Sequence, residues 1–256
     1  MKHLVIGKGF IGTAIGQKLE GEVKYLDRSD ADYQQDVTEE FSLEEKFDVV
    51  YHTVGLPPGF ATEEQYQAVH VEGTENIIDA VNADKIVYIS ALNPELEHPC
   101  FRTKKEAEEK IRESDMKHTI LRPSTVIGEG NKLLELMKKF SVTRIFPRIP
   151  TRMQPIKLED LVDAMAKVKD TRDNETLNMG GPEKITVSEM ASRLYREQGR
   201  SCHILPIPLE VIKLNLKAFS FLGPPFNREN TALMDAENTT EENHAPQLTQ
   251  LQRPFR

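Results

Sequence analysis

An apolar run, His3-Leu4-Val5-Ile6, leads directly into Gly7-Lys8-Gly9-Phe10-Ile11-Gly12, and an acid, Asp27, stands twenty positions after Gly7. This spacing predicts one kind of unit. In a strand–turn–helix that receives a pyrophosphate, the first glycine makes the tight turn and the second lets the backbone approach the phosphates. The third lets helix and strand pack closely. The surrounding residues supply the context, with Ile11, Ala14, Ile15 and Leu19 at helical spacing and a second strand, Val23 to Leu26, ending at Asp27. Gly7, Gly9, Phe10, Ile11 and Gly12 are therefore the predicted phosphate contacts, made by amides at a helix N-terminus. Asp27 suits a free ribose 2′-hydroxyl and repels a 2′-phosphate, which selects NAD. Arg28 beside it makes NADP the alternative, because a guanidinium pairs well with phosphate.

Strand-like runs then alternate with helical patterns: Asp48 to Thr53, Thr62 to Ala83, Lys85 to Ser90, Arg102 to Ser114 and His118 to Leu121. This rhythm predicts an α/β fold with a doubly wound parallel sheet. Runs such as Ile86-Val87-Tyr88-Ile89 are apolar without alternation, as expected when helices cover both faces. Strand ends supply Gly7, Asp27, Thr53, Gly55, Ser90 and Arg122, from which a site must be built. After Pro123 the rhythm changes. Gly128-Glu129-Gly130 precedes a helix at Lys132 to Phe140, prolines follow at 147, 150 and 155, and a second helix is expected over Leu158 to Lys169. A strand at Leu177 to Met179 and a helix opened by Thr186-Val187-Ser188-Glu189 complete this half. The division expected is a dinucleotide-binding domain over 1–145 and a smaller, substrate-type domain over 146–256, partly interleaved with the sheet. The stretch from Asp235 to Arg256, rich in Asn, Thr, Glu and Gln, is expected to be a loosely held tail.

The 256 residues carry a net charge of −8, so no global positive field exists to hold nucleic acid. Two cysteines without C-x-x-C spacing suit a reducing compartment, and with no export signal in the first 25 residues the expected location is the cytoplasm. No run of eighteen apolar residues predicts a transmembrane segment. Leu209 to Leu222 is the one stretch apolar enough for peripheral contact with a membrane surface. The seven histidines show no metal-ligand spacing, and neither a nucleoside-triphosphate loop nor a hydrolase elbow is present.

Several strings in one order resemble the short-chain dehydrogenase/reductases, in particular their extended and atypical members and the bacterial relatives of a respiratory complex I accessory subunit. They are Gly7 to Gly12, Asp36-Val37, Phe47 to Gly55, Val71-Glu72-Gly73-Thr74-Glu75-Asn76, Ile86 to Ser90, Arg102-Thr103-Lys104, Thr119 to Pro123 and Gly180-Gly181-Pro182-Glu183. The likeness spans roughly residues 2 to 200. It implies that Asp36 and Val37 flank the adenine and that Thr53, Val54 and Gly55 touch the cofactor. It further implies that Ser90 lies beside the nicotinamide, Lys104 holds the nicotinamide ribose, and Pro123 bears on the nicotinamide amide.

Two departures matter. The glycine turn is one residue shorter than in most extended members. Where active members carry a tyrosine four positions before the lysine, this chain has Cys100. A thiol ordinarily titrates near ~8.5, below a phenol's ~10, and the basic residues 102, 104 and 105 at a helix start lower such values further, so Cys100 is kept as a candidate acid or redox thiol. The expected function is an NAD(P)-binding, short-chain dehydrogenase/reductase-like protein with a degenerate hydride-transfer site, acting on an unidentified small molecule. The rival is a non-catalytic protein that holds a dinucleotide for structural or sensing purposes, in an accessory or assembly role.

Overall fold

The computed structural model describes residues 1–208, 210–211 and 233–255. Successive side chains of a strand point to opposite faces, so a run such as Leu4-Val5-Ile6 is stable only between two covered faces. Leu4 and Ile6 enter one buried layer and Val5 the other. The first βαβ unit comprises β1 (Lys2–Ile6), α1 (Phe10–Lys18) and β2 (Glu22–Asp27), followed by β3 (Tyr33–Gln34) and β4 (Lys46–His52). Then come α2 (Glu63–Tyr66), a π-helical turn (Gln67–Glu72), α3 (Gly73–Ala80), β5 (Asn82–Ile89), α4 (Pro99–Glu113) and β6 (Lys117–Pro123).

The second half contributes β7 (Val126–Ile127), α5 (Lys132–Phe140), β8 (Ile145–Pro147), β9 (Arg152–Met153), β10 (Ile156–Lys157) and α6 (Leu158–Val168). It continues through β11 (Glu175–Met179), β12 (Ile185–Thr186), α7 (Val187–Glu197) and β13 (His203–Leu205) to α8 (Ala245–Leu248). Seven strands form one sheet in the order β11-β6-β5-β4-β1-β2-β3, and every pair is parallel. This is the doubly wound α/β architecture expected from the sequence. The strand order reverses between β1 and β4, which opens the crevice at their carboxyl ends. One face packs against α1, α6 and α8, the other against α3 and α4.

A further core gathers Ile127, Leu134, Met137, Phe146, Ile149, Ile185, Met190, Leu194 and Tyr195. Its elements alternate along the chain with α6 and β11, which belong to the main sheet layers.

Two local expectations differ from the structure. The helix expected over residues 62 to 83 is broken by the π-helical turn and stops at Ala80, because Asn82 and Ala83 pair with Lys46 and Phe47 in β5. Cross-strand pairing outweighs a modest helical preference at those positions. The tail from 235 onward is not loose. Ala245, Leu248 and Phe255 are buried, and His244 exchanges hydrogen bonds with Asn178, its N–H donating to the carbonyl at 2.9 Å and its Nδ1 accepting the Asn178 N–H at 3.1 Å. The outer edge of β11 is thereby covered, which removes an open pairing template. Asn243 accepts from Gly180 N–H and donates to Gly180 O, both at 3.0 Å. Asn238 lies across the crevice side of the sheet, accepting from Ser124 Oγ at 2.6 Å and donating to Leu92 O at 3.3 Å. Composition misleads here because a few amides fasten the segment and only a few apolar side chains anchor it.

Candidate functional site

At the crevice, Gly7 takes φ +95°, a conformation that favours glycine, and its N–H donates to Leu26 O at 2.9 Å. Gly12 meets the turn from the helix side: a Cβ there would lie 1.8 Å from Gly7 O and 2.6 Å from Thr53 Oγ1. Gly9 differs. It caps α1 without a side-chain bond, and a Cβ added to it would meet nothing within 4 Å. The open space in front of Gly9 is thus bounded by α1 amides that have no intrahelical partner and no acid in the first turn. Phe10 and Ile11, half-buried, begin the helix, and the Phe10 ring lies against Gly128 and Gly130. The sequence did not assign that packing role to the second glycine pair.

Thr53 latches β4 to the turn, its Oγ1 lying 2.9 Å from both Ile6 O and Gly7 O and its N–H donating to Ile6 O. Val54 packs against Gly7. The Asp27 carboxylate accepts Lys8 N–H at 2.6 Å through one oxygen and Arg28 N–H at 2.8 Å through the other. It therefore braces the glycine turn while keeping lone pairs for a hydroxyl. Beside it a concavity of about 300 Å³ is lined by Lys8, Tyr25, Asp30, Ala31, Asp32 and Gln34, with Lys8 Nζ paired to Asp30 at 2.8 Å. Asp36 accepts from Thr38 N–H and Oγ1, and this backbone bond holds its carboxyl below the ordinary range. Val37 is buried against Gly73, and its carbonyl accepts Asn76 Nδ2 at 2.8 Å.

Gly55, Ser90, Cys100 and Lys104 come together further along the crevice. The Lys104 ammonium, 8% exposed, donates to Ile89 O at 2.9 Å and lies 5.2 Å from the Tyr88 ring centre. Burial pushes its pKa down. A Cβ on Gly55 would be 3.1 Å from Lys104 Nζ, so the glycine leaves the ammonium its place.

Two neutral histidines back this lysine. His70 Nε2 accepts Leu56 N–H at 2.9 Å, so its proton sits on Nδ1 and is donated to Thr103 Oγ1, whose own proton goes to Pro99 O. Burial drives its pKa down to about 2, and that of His52 to about 3. The π-helical turn carries His70 and widens the helix where its ring enters the core.

The expected acid is weak. Cys100 is buried, its Sγ donates to Leu56 O at 3.4 Å, and burial pushes the thiol up to about 12 against the opposing charge of Lys104. The lowering expected from nearby basic residues is thus reversed, because Arg102 and Lys105 point outward to Glu63 and Glu95. Tyr66, buried nearby, donates to Pro57 O and accepts from Gly59 and Phe60 N–H, organising the loop after β4. Ser90 donates its single proton to Glu108 Oε1 at 2.5 Å.

Glu108, which sequence reasoning missed, is fully buried and held by Arg122 Nε at 2.8 Å, by Arg122 Nη2, and by Arg112 at 2.7 Å. The signal was available: Lys104, Glu108 and Arg112 recur at four-residue spacing on one helix face. Pro123 ends β6, buried, with its carbonyl accepting Leu92 N–H at 3.0 Å. Leu209 to Leu222, the stretch singled out for membrane contact, lies outside the described residues apart from 210 and 211. Among the described residues no helix is long and apolar enough to cross a membrane.

No model of a known protein family matches the chain. It is 25% identical over 174 residues to the 40 kDa subunit of mitochondrial NADH-ubiquinone oxidoreductase from Neurospora crassa, a match covering 65% of this chain and 46% of that protein. It is 29% identical over 137 residues to subunit 9 of the mitochondrial NADH dehydrogenase 1 alpha subcomplex from Arabidopsis thaliana, covering 49% of this chain and 34% of that protein. The chain therefore spans less than half the length of these relatives. In three dimensions it is similar to a UDP-glucuronic acid 4-epimerase from Bacillus cereus solved with NAD, with a TM-score of 0.66 and 19% identity over 81% of this chain and 86% of that one. Other structures of this fold were solved with NAD or with NADPH. The chain has the fold of these NAD-bound epimerases and resembles in sequence subunits of mitochondrial NADH dehydrogenase.

Proposed function

We propose that the chain holds a nicotinamide dinucleotide across the β1/β4 crevice and lacks the acid for ordinary carbonyl reduction. Gly7, Gly9, Phe10, Ile11 and Gly12 receive the pyrophosphate, Asp27 and Arg28 the adenosine ribose, and Asp36 with Val37 the adenine. Thr53, Val54 and Gly55 line the middle, while Lys104, Ser90 and Pro123 border the nicotinamide, whose chemistry when bound is hydride transfer. Residues 146–256 supply the substrate-type part. The observation that carries this reading is the buried Cys100 thiol, pushed up to about 12 and committed to Leu56 O where an acid is needed. A positioned general acid contributes ~10²–10⁴-fold to rate. Resemblance over 65% of the chain to a subunit of mitochondrial NADH-ubiquinone oxidoreductase supports the non-catalytic form of the reading, an accessory or assembly role. The cytoplasm is the location this reading retains, because Cys100 and Cys202 are both free thiols, which suits a reducing compartment.

Cofactor oxidation measured across aldehydes, ketones, sugar nucleotides and quinones tests this. Turnover of simple ketones is expected to be absent, any residual activity falling on quinones, which need little acid assistance. Robust wild-type ketone reduction that disappears in Cys100→Ser makes the thiol a working acid and overturns the reading.

NAD is the preferred form, because Asp27, Asp30, Asp32 and Asp36 outnumber Lys8 and Arg28 around the adenosine end, and Lys8 is already paired. Calorimetry is expected to give NAD at least a tenfold advantage over NADP, about 1.4 kcal/mol, which Asp27→Ala narrows. Tighter NADP binding by the wild type assigns the site to Arg28 instead.

A further inference from the structure

Six of the seven large apolar side chains that stand exposed among the described residues fall in two short stretches, 140–145 and 205–211. Pairing of β8 with β13 brings those stretches together. Ile145 is opposite His203 and Pro147 opposite Leu205, so by strand alternation these four share the outer face, whereas Phe146 and Ile204 turn inward onto the core with Tyr195. Val142 (70% exposed), Ile145 (46%), Leu205 (38%) and Ile207 (37%) are the apolar projections of this face.

The first of these stretches, with the helix before it, carries a charge opposite to that of the chain. Residues 132–148 hold five basic side chains, Lys132, Lys138, Lys139, Arg144 and Arg148, against one acid, Glu135, within a protein of net charge −8. Lys138, Lys139, Arg144 and Arg148 are exposed and make no ion pair among the described residues. Isolated apolar tips framed by unneutralised lysine and arginine are the arrangement that inserts at the headgroup level of an anionic bilayer. Two copies of the same basic face repel one another, which disfavours a second chain as its occupant.

We propose that the outer face of the β8–β13 pair, framed by Lys138, Lys139, Arg144 and Arg148, docks the protein on an anionic phospholipid surface. The proposal does not depend on dinucleotide binding, and it assigns the contact to residues other than the 209–222 stretch.

Flotation of the full chain with phosphatidylcholine vesicles, and with vesicles in which about one-third is phosphatidylglycerol, tests it. Binding to the anionic vesicles is expected to exceed that to the neutral ones by about tenfold or more and to weaken as salt screens the charges. Lys139→Glu with Arg144→Glu is expected to lower anionic binding at least tenfold, and Val142→Asn with Ile145→Asn to lower it severalfold at any salt concentration. All four positions are exposed, and an unchanged thermal midpoint confirms that each variant folds. Equal binding to both vesicle types, or anionic binding that both double variants retain, overturns the proposal and moves the contact to residues 209–222. Absence of vesicle binding also overturns it, in favour of an acidic protein surface as the partner of this face.

Discussion

Gly9→Val is expected to keep the fold and lose the dinucleotide, while Gly12→Ala breaks the turn itself. The two glycines stand three residues apart, yet the space around them is opposite. A Cβ on Gly9 meets nothing, and its φ of −90° is open to any residue, so valine costs no more than the weak preference for glycine at a helix cap, under about 1 kcal/mol. The isopropyl group would instead fill the space in front of the α1 amides. Affinity is expected to fall at least a hundredfold, about 2.7 kcal/mol. At Gly12 the new carbon would sit 1.8 Å from Gly7 O, and neither backbone can move without dragging Thr53, which bonds the same carbonyl. A loss of roughly 3 kcal/mol is expected, a fall in Tm of ~6–12 °C for a chain of this size. Calorimetric titration and thermal unfolding of both variants check the pair. Unchanged affinity in Gly9→Val removes the pyrophosphate from the turn.

Glu108→Gln is expected to cost about 3 kcal/mol, the lower end for breaking a buried pair, because Arg122 is still 22% exposed and retains some hydration. The charge removed is the one that Arg122, Arg112 and Ser90 converge on. Glu108→Leu combined with Arg122→Met should recover much of the loss, since a well-packed apolar pair replaces the ions. Acid provides a second readout. Burial alone raises the Glu108 carboxyl, but Arg122, Ser90 and Arg112 together hold it below its ordinary 4.5. A folded value below the unfolded one means that its stabilisation is complete above pH 4.5 and is lost as the pH falls through the folded value. Wild type and Glu108→Gln are therefore expected to differ most near neutrality and to converge in acid. A constant difference down to pH 3 on denaturant unfolding, ~1.5 units below the ordinary value, contradicts the assignment.

Much of the sheet was legible because each strand is buried on both faces and so reads as a continuous apolar run. The glycine turn was legible because three separate steric demands fall at fixed spacing. Hidden were features that depend on groups far apart in sequence. Cys100 sits among basic residues in the chain, yet the structure turns Arg102 and Lys105 outward and leaves burial to set the thiol. Ser90 could be placed at a strand end, but not its partner, since Glu108 is eighteen residues away and reaches it only once α4 packs on the sheet. The segment around Asn238 reads as polar and loose, and nothing local says that its amide fits between Ser124 and Leu92.

That segment also fixes an order of events in biosynthesis. Asn238 binds partners 114 and 146 positions earlier, and His244 covers β11, so the crevice-side clasp and the sheet edge stay open while the intervening chain is made. At ~5–20 residues per second the interval from Leu92 to Asn238 lasts roughly 7–30 s. During it the nascent protein carries an unclasped crevice and, at the far end of its sheet, an unpaired strand edge, and a chaperone that shields that edge acts before the molecule can close itself.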